Sequence, residues 1–128
     1  MKNYKELNVW KNGIEIVKMT YQLSKLIPEQ EKFGVISQMT RAAVSIPANI
    51  AEGSSRNSDK DYMRFLQIAL GSAFELQTYL IIITEMKWVN DNKIEESQKL
   101  LEEEIKMIQA FIRKIANSYQ PSANSPKQ

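Results

Sequence analysis

Apolar residues along the chain recur at alternating spacings of three and four, in four stretches separated by short polar breaks. The first is Leu7, Trp10, Ile14, Val17 and Tyr21, a spacing that lays one stripe along a helix and predicts it over about residues 4 to 26. Pro28, Glu29 and Glu31 suit the next helix start, because proline lacks a donor that the first turn leaves unpaired and carboxylates favour the positive end of the helix dipole. The second helix is read from 29 to 54, with Phe33, Ile36, Thr40, Ala43, Pro47 and Ile50 as its stripe, a kink at Pro47, and Gly53 as a left-handed cap. Ser58 with Asp61 forms the acidic variant of a capping box. The third helix follows, carrying Tyr62, Leu66, Ala69, Ala73, Leu76, Leu80 and Ile83 to about Met86. After a turn through 89–92, the fourth carries Ile94, Leu101, Ile105, Ile108, Ile112, Ile115 and Tyr119.

Short connections between long helices make successive helices antiparallel, so the pattern predicts an all-α, left-handed, up-and-down four-helix bundle. One domain is expected over 1–118, with 119–128, containing Pro121 and Pro126, as a disordered tail. The same periodicity fits coiled coils between chains, but four segments joined by turns argue against that reading.

A lone bundle does not use all of this apolar surface. Leu80, Ile81, Ile82 and Ile83 are consecutive, and at 100° per residue they point in four directions. The second helix has a similar excess in Ala42, Ala43, Val44 and Ile46. One reading is a thick core with some exposed apolar atoms; the other is that the second and third helices face another copy of the chain. Gly71, in the interior of the third helix, is expected where the second helix approaches closely.

Composition then narrows the chemistry. The chain has neither cysteine nor histidine, which excludes disulfides, thiolate and imidazole metal sites, and His-assisted nucleophiles. No cofactor or metal is expected. No signal peptide is visible and no apolar run approaches the roughly 18 residues of a membrane span, so a cytoplasmic location without membrane contact is expected. The formal net charge is +2, with eight basic and five acidic residues up to 57 and nine and ten after it. Lys11, Lys18 and Lys25 recur every seven residues on the first helix, as do Lys99, Lys106 and Arg113 on the fourth. Each trio shares one face. The rows read either as a phosphate-binding surface for RNA or DNA, or as solubilising charges beside an inter-helix seam.

Arg41, Ser45, Asn49, Glu52 and Arg56 also share one face, and Ser72 and Glu75 form a polar spot on the third helix. A catalytic reading pairs Glu52 with Glu75 as acid and base. The structural reading has Arg41 neutralising a buried Glu75 while Ser45 and Asn49 close hydrogen bonds; a third leaves these residues as plain solvated surface. No nucleophile-base set or phosphate-cradling glycine loop supports the first, and no enzyme activity is expected.

The run from Arg41 to Gly53, RAAVSIPANIAEG, and the later IALGSAFEL from Ile68 to Leu76 carry a resemblance. Together with Leu7-Asn-Val-Trp10 and Glu31-Lys-Phe-Gly34, they resemble a bacterial family: four-helix bundle proteins encoded in 23S ribosomal RNA intervening sequences. The resemblance implies a homopentamer without established enzymatic activity. Similar bundles serve as accessory proteins of diversity-generating retroelements, where a basic pentamer binds nucleic acid and a reverse transcriptase. The alternative is a structural scaffold whose partner is another protein.

Overall fold

A computed structural model describes residues 3–90 and 92–118. They form α1 (Asn8–Ser24), α2 (Ser37–Ser54), α3 (Asp59–Glu85) and α4 (Asn92–Ser118), with no strand among the described residues. The expected tail and Tyr119 lie outside them. The helices pack in a ring, α1 on α2, α2 on α3, α3 on α4 and α4 on α1. Ser45 meets Ser72 while Gly53 meets Tyr62 and Phe65, which makes α2 and α3 antiparallel. Asn12 reaches Leu100 and Glu104, whereas Leu7 and Val9 lie by Phe111 and Lys114, so α1 and α4 are antiparallel too.

On α3 and α4 the predicted stripes form the core, with Leu66, Leu76, Leu80, Leu101 and Ile108 wholly buried or nearly so. On α1 the core stripe is a different one, Val9, Gly13, Ile16, Thr20 and Leu23. The predicted Leu7, Trp10, Ile14 and Val17 are only half-buried, and Tyr21 is exposed. This helix has two apolar stripes, and the bulkier one in sequence is the one left towards solvent. Trp10, Ile14 and Val17 instead line an open furrow of about 280 Å³ with Val44, Ala48 and Ala51 of α2.

The second helix also begins later than its pattern suggests. A 3-10 turn at Glu29–Glu31 and a wide turn at Lys32–Ile36 precede α2, and Gly34 leaves helical values (φ −104°, ψ −109°). That break turns Phe33 out of the stripe, to 89% exposure. Helix α2 continues through Pro47.

Neither glycine has the role expected from the sequence. Gly53 is not a left-handed cap; it lies inside α2, where an added Cβ would stand 2.9 Å from Phe65 Cβ. Gly71 is exposed on the outer side of α3 with nothing within 4 Å of an added Cβ, so the close approach of α2 occurs elsewhere. Ser58 Oγ does accept from the Asp61 N–H at 3.1 Å, capping α3 as read. The other end of α3 closes through Lys87 (φ 58°), with Trp88 N–H donating to Ile83 O and Lys87 N–H to Thr84 O. This is a Schellman arrangement on a non-glycine residue.

Candidate functional site

Three polar features rise above the helical background. The first is the α2–α3 face carrying the two sequence motifs. The Ser45 and Ser72 hydroxyls lie 2.8 Å apart across the seam, and Asn49 Nδ2 donates to Ser45 Oγ and to the Ser45 carbonyl, each at 2.8 Å. The expected buried Arg41–Glu75 pair is not formed. Both side chains are exposed, and Glu75 accepts only a long 3.4 Å bond from the Tyr79 hydroxyl one turn along its own helix. Burial, followed by the Glu75 carboxylate, pushes the Tyr79 phenol up. Glu52 pairs with Arg56 at 2.6 Å. An exposed arginine and glutamate pay no desolvation penalty, so nothing drives them together as a burial site would.

The second feature was missed by the sequence reading. Glu104 of α4 is wholly buried where α1, α2 and α4 meet. Asn12 of α1 donates through Nδ2 both to Glu104 Oε1 at 3.1 Å and to the Leu100 carbonyl at 3.0 Å. The other oxygen, Oε2, has no hydrogen-bond partner. It lies 3.2 Å from where a Cβ on Gly13 would be, and the same Cβ would stand 3.4 Å from Pro47 Cβ. Glycine at 13 thus lets α1 settle on both neighbours. Burial pushes the Glu104 carboxyl up to about 8, partly opposed by the Asn12 bond. At neutral pH it is mainly a neutral acid.

The signal for Glu104 is present in the spacing: Ile94, Ser97, Leu101, Glu104, Ile108, Phe111 and Ile115 alternate threes and fours. Its two polar members, Ser97 and Glu104, are the residues that bury an oxygen without a partner. Chemically, a neutral carboxyl can donate or accept a proton. Glu104 has no second acid, base or nucleophile beside it, and among the described residues no group of three or more carboxylates is placed to hold a metal ion.

The third feature is the basic rows. Lys11, Lys18, Lys25, Lys99, Lys106 and Arg113 are all exposed. Of the six, only Lys18 has a carboxylate within ion-pair distance, Glu15 at 3.2 Å. None of them lines the apolar furrow between α1 and α4, which is formed by Leu7, Val9, Met107, Ala110, Phe111 and Lys114.

Comparison with known proteins fits this architecture. No curated protein matches the sequence. Among solved structures, one of a protein with unknown function from the S23 ribosomal protein family of Bacteroides thetaiotaomicron superposes with a TM-score of 0.76 at 26% identity. The match covers 82% of this chain and 98% of that one. A family model described as 23S rRNA-intervening sequence protein matches residues 5–110, a span that includes both motifs of the α2–α3 face and the Asn12–Glu104 junction. The chain therefore belongs to the 23S rRNA-intervening sequence protein family.

Proposed function

We propose that the protein is a non-enzymatic bundle that works as a homo-oligomer, with the assembly presenting its basic rows to the phosphates of RNA or DNA. The observation that carries the reading is the outer surface of α3. Contrary to the expectation that no run approaches the length of a membrane span, an 18-residue stretch of this helix has a mean hydropathy of 1.4, enough by length and composition to cross a membrane, yet only 33% of it is buried within the chain. Ile68, Phe74 and Ile81 are all more than two-fifths exposed. The apolar furrow between α1 and α2 adds a second uncovered surface. At 100° per residue Phe74 and Ile81 share one flank of α3 and Ile68 lies on the other, across Gly71 and Thr78, so the furrow lining is the contiguous apolar surface of the kind that marks an interaction site. Gly71 fits the same reading, since a helix-interior glycine costs about 1 kcal/mol relative to alanine and a second copy's close approach would compensate for it.

Five ring members is the number the family resemblance implies. Five of the six residues in the rows, all but Lys18, have no carboxylate within ion-pair distance among the described residues, which favours phosphate contact over inter-helix ion pairing, and repetition in an oligomer would multiply them. The absence of cysteine fits a reducing, cytoplasmic setting. Light scattering at micromolar concentration should give a mass several times 14.8 kDa; a monomer overturns the assembly. Reversing Lys11, Lys18 and Lys25 to Glu should abolish RNA retention at low salt while helicity stays unchanged. Retention insensitive to both salt and reversal would point to a protein partner instead.

A further inference from the structure

We propose that Glu104 is a proton-binding site that latches α1 onto α2 and α4, so that loss of this one proton loosens α1. The case begins with what the chain lacks. Without histidine or cysteine, it has no side chain that ordinarily titrates between about pH 5 and 8. One carboxyl placed in the interior takes that range, the chain's α-amino group being the other titrating group near it.

The surroundings leave the carboxylate form unsupported. Helix α1 faces it with Asn12 and Gly13, and Pro47 of α2 packs on the same glycine. None of these carries charge. On α1 the nearest ionisable neighbours in sequence, Lys11 and Glu15, are exposed, as are Arg41 and Glu52 of α2 and Glu102, Glu103 and Lys106 of α4. From α3 the ionisable group at the α4 interface is Tyr62, half-buried and edge-on to Phe111 at 5.3 Å. Every lysine and arginine among the described residues is exposed, so no cation is buried beside Glu104 to neutralise it. With a proton on Oε2 the group is neutral and Oε1 still accepts from Asn12. Without it, a bare charge sits where a single amide donor is the only polar partner.

Relief is available in one direction. Asn12 also lines an open groove of about 500 Å³ with Trp10, Lys11, Ile14 and Glu15. Movement of α1 on this side would admit water and bring the Lys11 ammonium nearer. The sign follows from linkage. The folded state holds the proton up to about pH 8 while the unfolded chain releases it near the ordinary glutamate value, so the contribution of this site to stability is greatest at low pH. It then falls as pH rises between the two values and levels off above the upper one.

Two measurements on the intact chain test this. Chemical unfolding of the wild type and of Glu104→Gln, which keeps the shape and the acceptor for Asn12, should diverge. The ratio of their unfolding constants should change about tenfold per pH unit from pH 5.5 to about 8 and then flatten. Amide exchange in α1 should quicken over the same range in the wild type only. Parallel profiles overturn the proposal. Should the variant fail to fold, the wild type alone decides through infrared spectroscopy. A protonated-acid carbonyl band present at pH 7 and lost with a midpoint near 8 supports the site, and its absence at pH 7 overturns it.

Discussion

The α2–α3 and α1–α4 seams are both crossed by a side-chain hydrogen bond, and they behave in opposite ways. Between α2 and α3 two small hydroxyls meet at half-buried positions beside the exposed Arg41 and Glu75. Between α1 and α4 an amide meets a wholly buried carboxyl, and Oε2 is left without a partner. The residues that look most chemical in sequence lie on the first seam. The perturbed group lies on the second, because the penalty for a charge depends on what surrounds it and not on how many polar residues stand nearby.

The difference is broken most directly by removing one donor from each seam. Asn12→Ala strips Glu104 Oε1 of its donor, while the Leu100 carbonyl keeps its partner within α4, and should lower stability by about 1–3 kcal/mol. Ser72→Ala at the other seam should cost no more than about 0.5–1.5 kcal/mol, since its partner Ser45 still receives a hydrogen bond from Asn49. Urea unfolding of the two variants gives the comparison.

A second contrast separates the inner and outer sides of α3. Gly53→Ala forces a methyl against Phe65 and Tyr62, where overpacking of about 1–3 kcal/mol should outweigh the gain of about 1 kcal/mol in helix propensity. Gly71→Ala meets nothing within the chain and should stabilise a dilute monomer by about 1 kcal/mol. Thermal unfolding below the association range should therefore move in opposite directions for the two. The smallest effect belongs to the motif charges. Arg41→Ala and Glu75→Ala should each change monomer stability by less than about 0.5 kcal/mol, and a double-mutant cycle should be additive. A coupling energy well above that in the monomer would mean that the two meet in solution.

The fold was legible because helix periodicity is written in the spacing of apolar residues, and α3 and α4 have one such stripe each. Helix α1 was misread because it has two. Its core side includes Gly13 and Thr20, whose value comes from fitting against Pro47 and Glu104 and from a hydroxyl returned to the Ile16 carbonyl. Neither is apparent without the neighbouring helices. Glu104 was hidden inside the run Glu102-Glu103-Glu104, where composition suggests solvent and only the helical phase of Leu101 and Ile108 picks out the one inward residue. The Arg41–Glu75 expectation failed for the converse reason: a shared level along two helices does not set how far each side chain leans from the core.

Four helices are an even number, and this gives the molecule two unlike poles. Asn8 of α1 and Ser118 of α4 begin and end the helical ring at one pole, which also holds the α2–α3 turn. The other pole has the exposed Phe33 and the left-handed turn at Lys87. A tether joined beyond either helix end therefore leaves from the same pole. Grafting the bundle to a bead, a sensor surface or a second protein at the first turn of α1 or the last turn of α4 would orient it the same way up, with Phe33 and the Lys87 turn facing outward.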